Sequence, residues 1–290
     1  MDNFTYEAPR SLDDAYALLS NGRSTRLLAG GTDLIIQLRE DRDHCEQLVD
    51  IKHIPELMQL AVEDDGSAVI GAAVPCARIY EHEEIGRRFP ALIDSASLIG
   101  GIQIQGRASL GGNLCNASPA ADSAGSLIVL DARLTIGSAR GIRELPVADF
   151  FRGPGENALG EGEILLRIMV PVQPPRSGAH YLRFIPRNEM DIAVASAGAR
   201  LVLDEQGERI EAARLAAGAV APTPLVAAAA AEFLAGKEPT DDNFRRAGEL
   251  AAEASSPITD MRGSAAQRRH LTAVLTRRAL EGALARAREA

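Results

Sequence analysis

The chain has 290 residues, with 31 basic and 40 acidic side chains and a formal net charge of -9. Its charges are interspersed rather than blocked, which argues against nucleic acid as the main partner. No apolar run is long enough to cross a membrane, and the N-terminal MDNFTYEAPR lacks a signal-peptide pattern, so we expect a cytoplasmic protein without a membrane span. Cys45, Cys76 and Cys115 are odd in number and far apart, which suggests neither a disulfide framework nor a CxxC metal site. The five histidines show no HxH or HExxH spacing, so no metal ligands and no metal are expected on this chain.

The length suits two domains. Phe4 to Tyr6 reads as a strand, and Ser11 with Asp14 three residues on resembles a capping box opening a helix through Leu19. Arg26 to Leu28 is a second strand, Leu34 to Arg39 a helix and Gln47 to Ile51 a third strand, together a small βαβ-like unit over about residues 1–57. From 58 to 175 the pattern turns to mixed sheet, with strands at Ala68 to Gly71, Ala132 to Ile136 and Ile164 to Val170. Helical stretches interrupt them near Ala91 to Ile99 and Ser123 to Leu130. Pro171 to Gly178 is the best linker candidate, which divides the chain into 1–175 and 176–290. Beyond it, Tyr181 to Phe184, Ile192 to Leu203 and Arg209 to Ala216 read as a three-stranded antiparallel sheet. Helices follow at Leu225 to Leu234, Asp241 to Ala254 and Ser264 to Arg286, the last covering that sheet. The fold class is α+β.

Two glycine-rich segments carry the functional signal. The first is Leu28-Ala29-Gly30-Gly31-Thr32-Asp33-Leu34, at a strand end. The second is Ser109-Leu110-Gly111-Gly112-Asn113, followed by Ala117-Ser118-Pro119-Ala120-Ala121-Asp122. Paired glycines permit positive φ and close backbone approach, so successive amides can converge on an anion. Neither segment is a P-loop or a GxGxxG turn, and a dinucleotide pyrophosphate between two amide cradles fits better. Thr32 and Ser109 offer hydroxyls, Asn113 an amide, and Asp33 and Asp122 can accept from ribityl or ribose hydroxyls.

LLAGGTDLIIQLR, QIQGRASLGGNLCNASPAAD, EILLRIMVP and YLRFIPRNEMDIAVASAGARL occur in an order and spacing similar to the FAD-binding (medium) subunit of molybdenum hydroxylases. That family includes carbon monoxide dehydrogenase and xanthine dehydrogenase, and the resemblance runs nearly from end to end. It implies an FAD-binding domain of the p-cresol methylhydroxylase (vanillyl-alcohol oxidase) type, then a C-terminal α+β domain. By position, Leu27, Leu28, Ala29, Gly30, Gly31, Thr32, Asp33 and Leu34, with Ser109, Leu110, Gly111, Gly112 and Asn113, would hold the pyrophosphate. Ile99, Asp122, Leu165 and Arg183 match further flavin-contacting positions, with Arg183 placed to stabilise negative charge on the reduced flavin. Each also has a plainer reading: Ile99 and Leu165 as core, Asp122 as a cap on the helix beginning at Ser123, Arg183 as partner to a carboxylate such as Asp191. Two departures stand out: Gln103-Ile104-Gln105-Gly106 replaces the family's QIRN, and Gly125 replaces a proline.

The resemblance further implies an electron-transfer oxidoreductase subunit, incomplete alone and without a catalytic acid, base or nucleophile of its own. FAD would be its cofactor. The molybdenum-pterin centre and 2Fe-2S clusters would sit on a large subunit and an iron-sulfur subunit, in a heterotrimer or dimer of heterotrimers, with a small-molecule electron acceptor. Three scattered cysteines cannot ligate a cluster. A free-standing flavin oxidase or dehydrogenase and a non-catalytic nucleotide-binding module are the alternatives.

Overall fold

The computed structural model describes residues 3–187 and 189–290. Met1 and Asp2, within the expected first domain, and Asn188, within the YLRFIPRNEMD motif, lie outside the described residues.

The first sheet is built from β1 (Thr5–Glu7), β2 (Thr25–Leu28) and β3 (Gln47–Asp50), parallel in the order β1-β3-β2. The connections are α1 (Leu12–Leu19) and α2 (Leu34–Arg39). The expected capping box is present: the Asp14 amide donates to Ser11 Oγ, and the Ser11 hydroxyl donates to the Asp14 carboxylate. Such a cap contributes about 1 kcal/mol. The central strand β3 is buried along its length, while α2 closes a small apolar cluster of Leu28, Leu38, Cys45 and Leu48.

The second sheet follows β4 (Leu60–Val62) and β5 (Ala68–Gly71), and five short helices run between its strands. These are α3 (Cys76–Tyr80), α4 (Glu83–Arg88), α5 (Pro90–Ala96), α6 (Ile102–Gln105) and α7 (Leu110–Cys115). Then come α8 (Asp122–Val129), β6 (Arg133–Ser138), β7 (Gly141–Pro146), the hairpin β8 (Phe151–Gly153) and β9 (Glu156–Asn157), and β10 (Ile164–Val170). The antiparallel order is β4-β5-β10-β6-β7. All eight residues of α8 are buried, which a helix reaches only when packed on all sides.

The packing partner on one side is the C-terminal sheet. Its strands β11 (Ser177–Phe184), β12 (Ala195–Leu203) and β13 (Ile210–Gly218) are the three expected, in consecutive antiparallel pairing. A fourth, β14 (Leu225–Val226), pairs with β13. The expected helix from Leu225 is thereby corrected: α9 spans Ala228–Leu234, because the two preceding residues take up β13's free edge. Helices α10 (Asp241–Glu253) and α11 (Ala265–Glu289) complete the chain, and α11 covers β11 and β12 on the face opposite α8.

The β11 strand thus has two working faces, as alternation of side chains requires. Tyr181 and Arg183 point toward α8, where both reach Asp122. Gly178 and His180 lie against α11, where a Cβ on Gly178 would collide with the Ala283 carbonyl and one on Gly282 with the His180 ring. Arg286, near the end of α11, clasps Asp94 of α5 in a two-pronged ion pair at 2.6 and 2.9 Å and also donates to the Ala179 carbonyl. No helix among the described residues is long and apolar enough to cross a membrane.

Candidate functional site

The two glycine segments, 78 residues apart from Gly31 to Ser109 in sequence, meet in space. A Cβ on Gly30 would collide with the carbonyl oxygen of Arg107, so the first segment lies directly against the approach to the second. Between them, Gln37 of α2 donates to Asn116 at 3.1 Å, and the Cys76 amide donates to the Ala108 carbonyl at 2.8 Å.

The four glycines divide the work differently from the simple expectation that each pair adopts positive φ. Only Gly31 does, at φ 77°. Gly30 and Gly111 are small because other backbone approaches them; a side chain at Gly111 would enter the Ala72 carbonyl. The second segment is also not a loop. Leu110–Cys115 is helical and Ser109 caps it, accepting from the Gly112 amide at 3.0 Å. Glycine's poor helix propensity is overridden by packing against Ala72.

A brace beneath the first segment was not apparent from the sequence. Lys52 donates to the Ala29 carbonyl at 2.9 Å and pairs with Asp50 at 2.6 Å, while Asp50 accepts from Tyr6 at 2.7 Å. In a trans peptide the carbonyl and the next N–H point in opposite directions. With the Ala29 carbonyl drawn to Lys52, the Gly30 N–H points away from it. A lone lysine carries no motif, so only the fold reveals this role.

Asn113 faces the other way along the site. Its Oδ1 accepts from both the amide and the hydroxyl of Ser123, at 3.3 and 2.6 Å, joining α7 to the first turn of α8. The connecting segment passes through Ala117, a non-glycine residue at φ 48°, a conformation that costs energy and clusters at functional sites.

Asp122 does not cap α8. It is the first helical residue, after an Ala121 N-cap with no side-chain bond, and it lies 7% exposed. Tyr181 donates to its Oδ1 at 2.9 Å and Arg183 to its Oδ2 at 2.5 Å. Burial pushes its pKa up to about 6, outweighing the opposing pull of Arg183 and Tyr181. Arg183 therefore pairs with Asp122; Asp191 pairs instead with Arg187. The Arg183 side chain is 4% exposed and its buried Nε has no partner. Ile99 and Leu165 both lie in the main apolar core, 8% and 2% exposed.

The expected residues fall into two groups. Leu27, Ala29, Gly30, Gly31, Thr32, Leu34, Gly112 and Asn113 are partly accessible and Asp33 is exposed; Leu28, Ser109, Leu110 and Gly111 are buried beneath them. The cradle fits a diphosphate in two respects: close-approach glycines and a directed amide at Gly30. The departure at Gly125 also has a structural basis. A Cβ there would stand 2.8 Å from the Tyr181 ring.

Comparison with known proteins agrees with this architecture. Residues 2–173 match the FAD binding domain in molybdopterin dehydrogenase, and residues 180–283 the CO dehydrogenase flavoprotein C-terminal domain. The chain is 35% identical to the xanthine dehydrogenase FAD-binding subunit of Escherichia coli O157:H7, over 99% of this chain and 98% of that one. It is 31% identical to the carbon monoxide dehydrogenase medium chain of Hydrogenophaga pseudoflava, over 98% of each. Among solved structures, the Cu,Mo-CO dehydrogenase superposes with TM-score 0.92 at 31% identity, covering 98% of both chains. Quinoline 2-oxidoreductase from Pseudomonas putida 86 gives 0.92 at 29% identity, covering 99% of this chain and 98% of that one. The chain belongs to the FAD-binding subunit family of the xanthine dehydrogenases and carbon monoxide dehydrogenases, and is an oxidoreductase component whose cofactor is FAD.

Proposed function

We propose that this chain is the electron-transfer subunit of a multi-subunit molybdenum hydroxylase, taking electrons from a partner's iron-sulfur clusters and delivering them to a small-molecule acceptor. The observation that carries the reading is the meeting of the two glycine segments beside the buried Asp122, in a chain whose relatives are named as FAD-binding subunits and medium chains. Bound FAD supplies the redox chemistry; the protein's own residues bind it, orient it and set the charge around it.

In this reading the 27–34 segment and residues 109–113 receive the pyrophosphate. Lys52 holds the Ala29 peptide so that the Gly30 amide faces the anion. Asp122 and Arg183 stand toward the flavin end, and Ile99 and Leu165 contribute apolar surface from the core. Arg183, already bonded to Asp122, keeps its Nε uncommitted. The clusters and the molybdenum-pterin centre are assigned to an iron-sulfur subunit and a large subunit, in a heterotrimer or its dimer. On this chain Cys45, Cys76 and Cys115 take part in no disulfide among the described residues, and burial pushes Cys76 and Cys115 up to about 12. Residues 1–175 form the FAD-binding domain, divided near residue 57, and 176–290 the C-terminal domain, a division supported by the ranges of the two family matches.

The test is an absorption spectrum of the purified chain after reconstitution, with the bound cofactor released and identified. Tightly held FAD without iron-sulfur absorption is expected. Failure to hold FAD even with the partner subunits present would overturn the reading.

A further inference from the structure

Among the described residues, the most constrained polar group beyond the glycine segments is Tyr181. It is 1% exposed, its backbone amide donates to Asp94 at 3.1 Å, and its hydroxyl donates to Asp122 at 2.9 Å. Its ring lies against Gly125 of α8, a glycine that Gly198 of β12 also approaches. A Cβ on Gly125 of α8 would press on the ring at 2.8 Å, and one on Gly198 of β12 would lie 2.8 Å from the Gly125 carbonyl. Helix and strand approach closely here, and the tyrosine fills the remaining room with its hydroxyl aimed at one carboxylate oxygen.

We propose that Tyr181 is a positioning residue of the flavin site that acts through Asp122: its hydroxyl and the Arg183 guanidinium hold one carboxylate oxygen each, fixing the direction and charge of a group that sets the flavin's reduction potential. This rests on the reading that Asp122 stands beside the flavin. A hydrogen bond donated to the charged form of a carboxylate favours that form, and Tyr181 and Arg183 both act on Asp122 in this sense. Removing the hydroxyl leaves burial less opposed, so the carboxylate takes up a proton nearer neutrality. A negative charge beside a flavin opposes its reduction, and neutralising that charge makes reduction easier.

The titrating and charged groups facing Asp122 are Tyr181 and Arg183 from β11. From α7, Asn113 reaches the adjacent Ser123, and neither titrates. The Asp94–Arg286 pair bonds the backbone of β11, and His180 lies on that strand's other face.

The experiment is a spectroelectrochemical titration of the FAD-loaded full-length chain at a series of pH values, comparing wild type, Tyr181→Phe, Asp122→Asn and the double variant. Phenylalanine keeps the ring in place, so the fold and FAD binding are expected to survive. For Tyr181→Phe we expect about a tenfold rise in the equilibrium constant for two-electron reduction near neutrality, about 30 mV upward. The rise should close on acidification, where Asp122 is protonated in both proteins. In the Asp122→Asn background the tyrosine substitution should change nothing further. A Tyr181→Phe potential equal to wild type at every pH, while Asp122→Asn shifts it, makes Tyr181 a packing residue only and overturns the proposal. If Asp122→Asn binds FAD with an unchanged potential, the underlying placement of Asp122 beside the flavin is what fails.

Discussion

Asp122 gives the protein a pH signature that can be read without any cofactor. Its carboxyl ionises near pH 3.8 in an unfolded chain and is pushed up to about 6 in the folded one, because burial disfavours the charge. A carboxylate with a raised folded pKa costs stability where it is ionised, above the folded value. The cost is relieved as pH falls through about 6 toward 3.8, since only the folded state then binds the proton. Integrated for this one group, acidification from about pH 7 to about pH 5 should stabilise the apoprotein by roughly 1 kcal/mol. Denaturant unfolding of wild type and Asp122→Asn at the two pH values isolates the effect, because every other titrating group is common to both proteins. The asparagine variant should be less stable throughout, since Arg183 loses its buried partner, but wild type should gain roughly 1 kcal/mol on it as the pH falls. A difference between the two proteins that does not change with pH, or one that moves against wild type on acidification, would show that Arg183 and Tyr181 hold the carboxyl at or below its ordinary range.

Two substitutions probe other parts of the architecture. Gly30→Ala places a methyl group on the Arg107 carbonyl and forces the glycine segments apart; FAD affinity followed by flavin fluorescence should fall at least about tenfold, about 1.4 kcal/mol. Gly282→Ala drives a methyl into the His180 ring and should destabilise the chain by about 1–3 kcal/mol, with most of the loss recovered in the Gly282→Ala, His180→Ala pair. Thermal unfolding of the two single variants and the pair checks this, and a pair no more stable than Gly282→Ala alone would refute the collision.

Much of the framework is legible in the sequence. Boundaries at Leu34–Arg39, Ala68–Gly71 and Ile164–Val170 coincide with those read from the pattern, where glycines at 31, 66 and 71 and a proline at 171 stand near the ends. The capping serines at 11 and 264 likewise mark real helix starts. The helical form of the second glycine segment is not legible in the sequence, because propensity alone argues against Leu-Gly-Gly-Asn forming a helix; the turn exists through its packing on Ala72 and its Ser109 cap. Short elements with little periodicity, such as β4, β7, the β8–β9 hairpin and β14, left no comparable trace. In the candidate site, paired glycines announce themselves, whereas Lys52, Ser123 and Tyr181 act singly. For Tyr181 a signal did exist: it sits two residues from Arg183 on a strand, hence on the same face.

The Arg286–Asp94 clasp has a consequence for how the molecule comes into being. These residues are separated by 192 positions. A ribosome releases both glycine segments and Asp122 before the strand bearing Tyr181 and Arg183, and releases the residue that pins that strand to α5 about a hundred residues later still. Until then Asp122 has no settled donors, and contacts of such separation form slowly. The nascent protein should therefore complete its cofactor end only after Arg286 has emerged, so a product truncated before that residue would keep the glycine cradle yet lack the clasp.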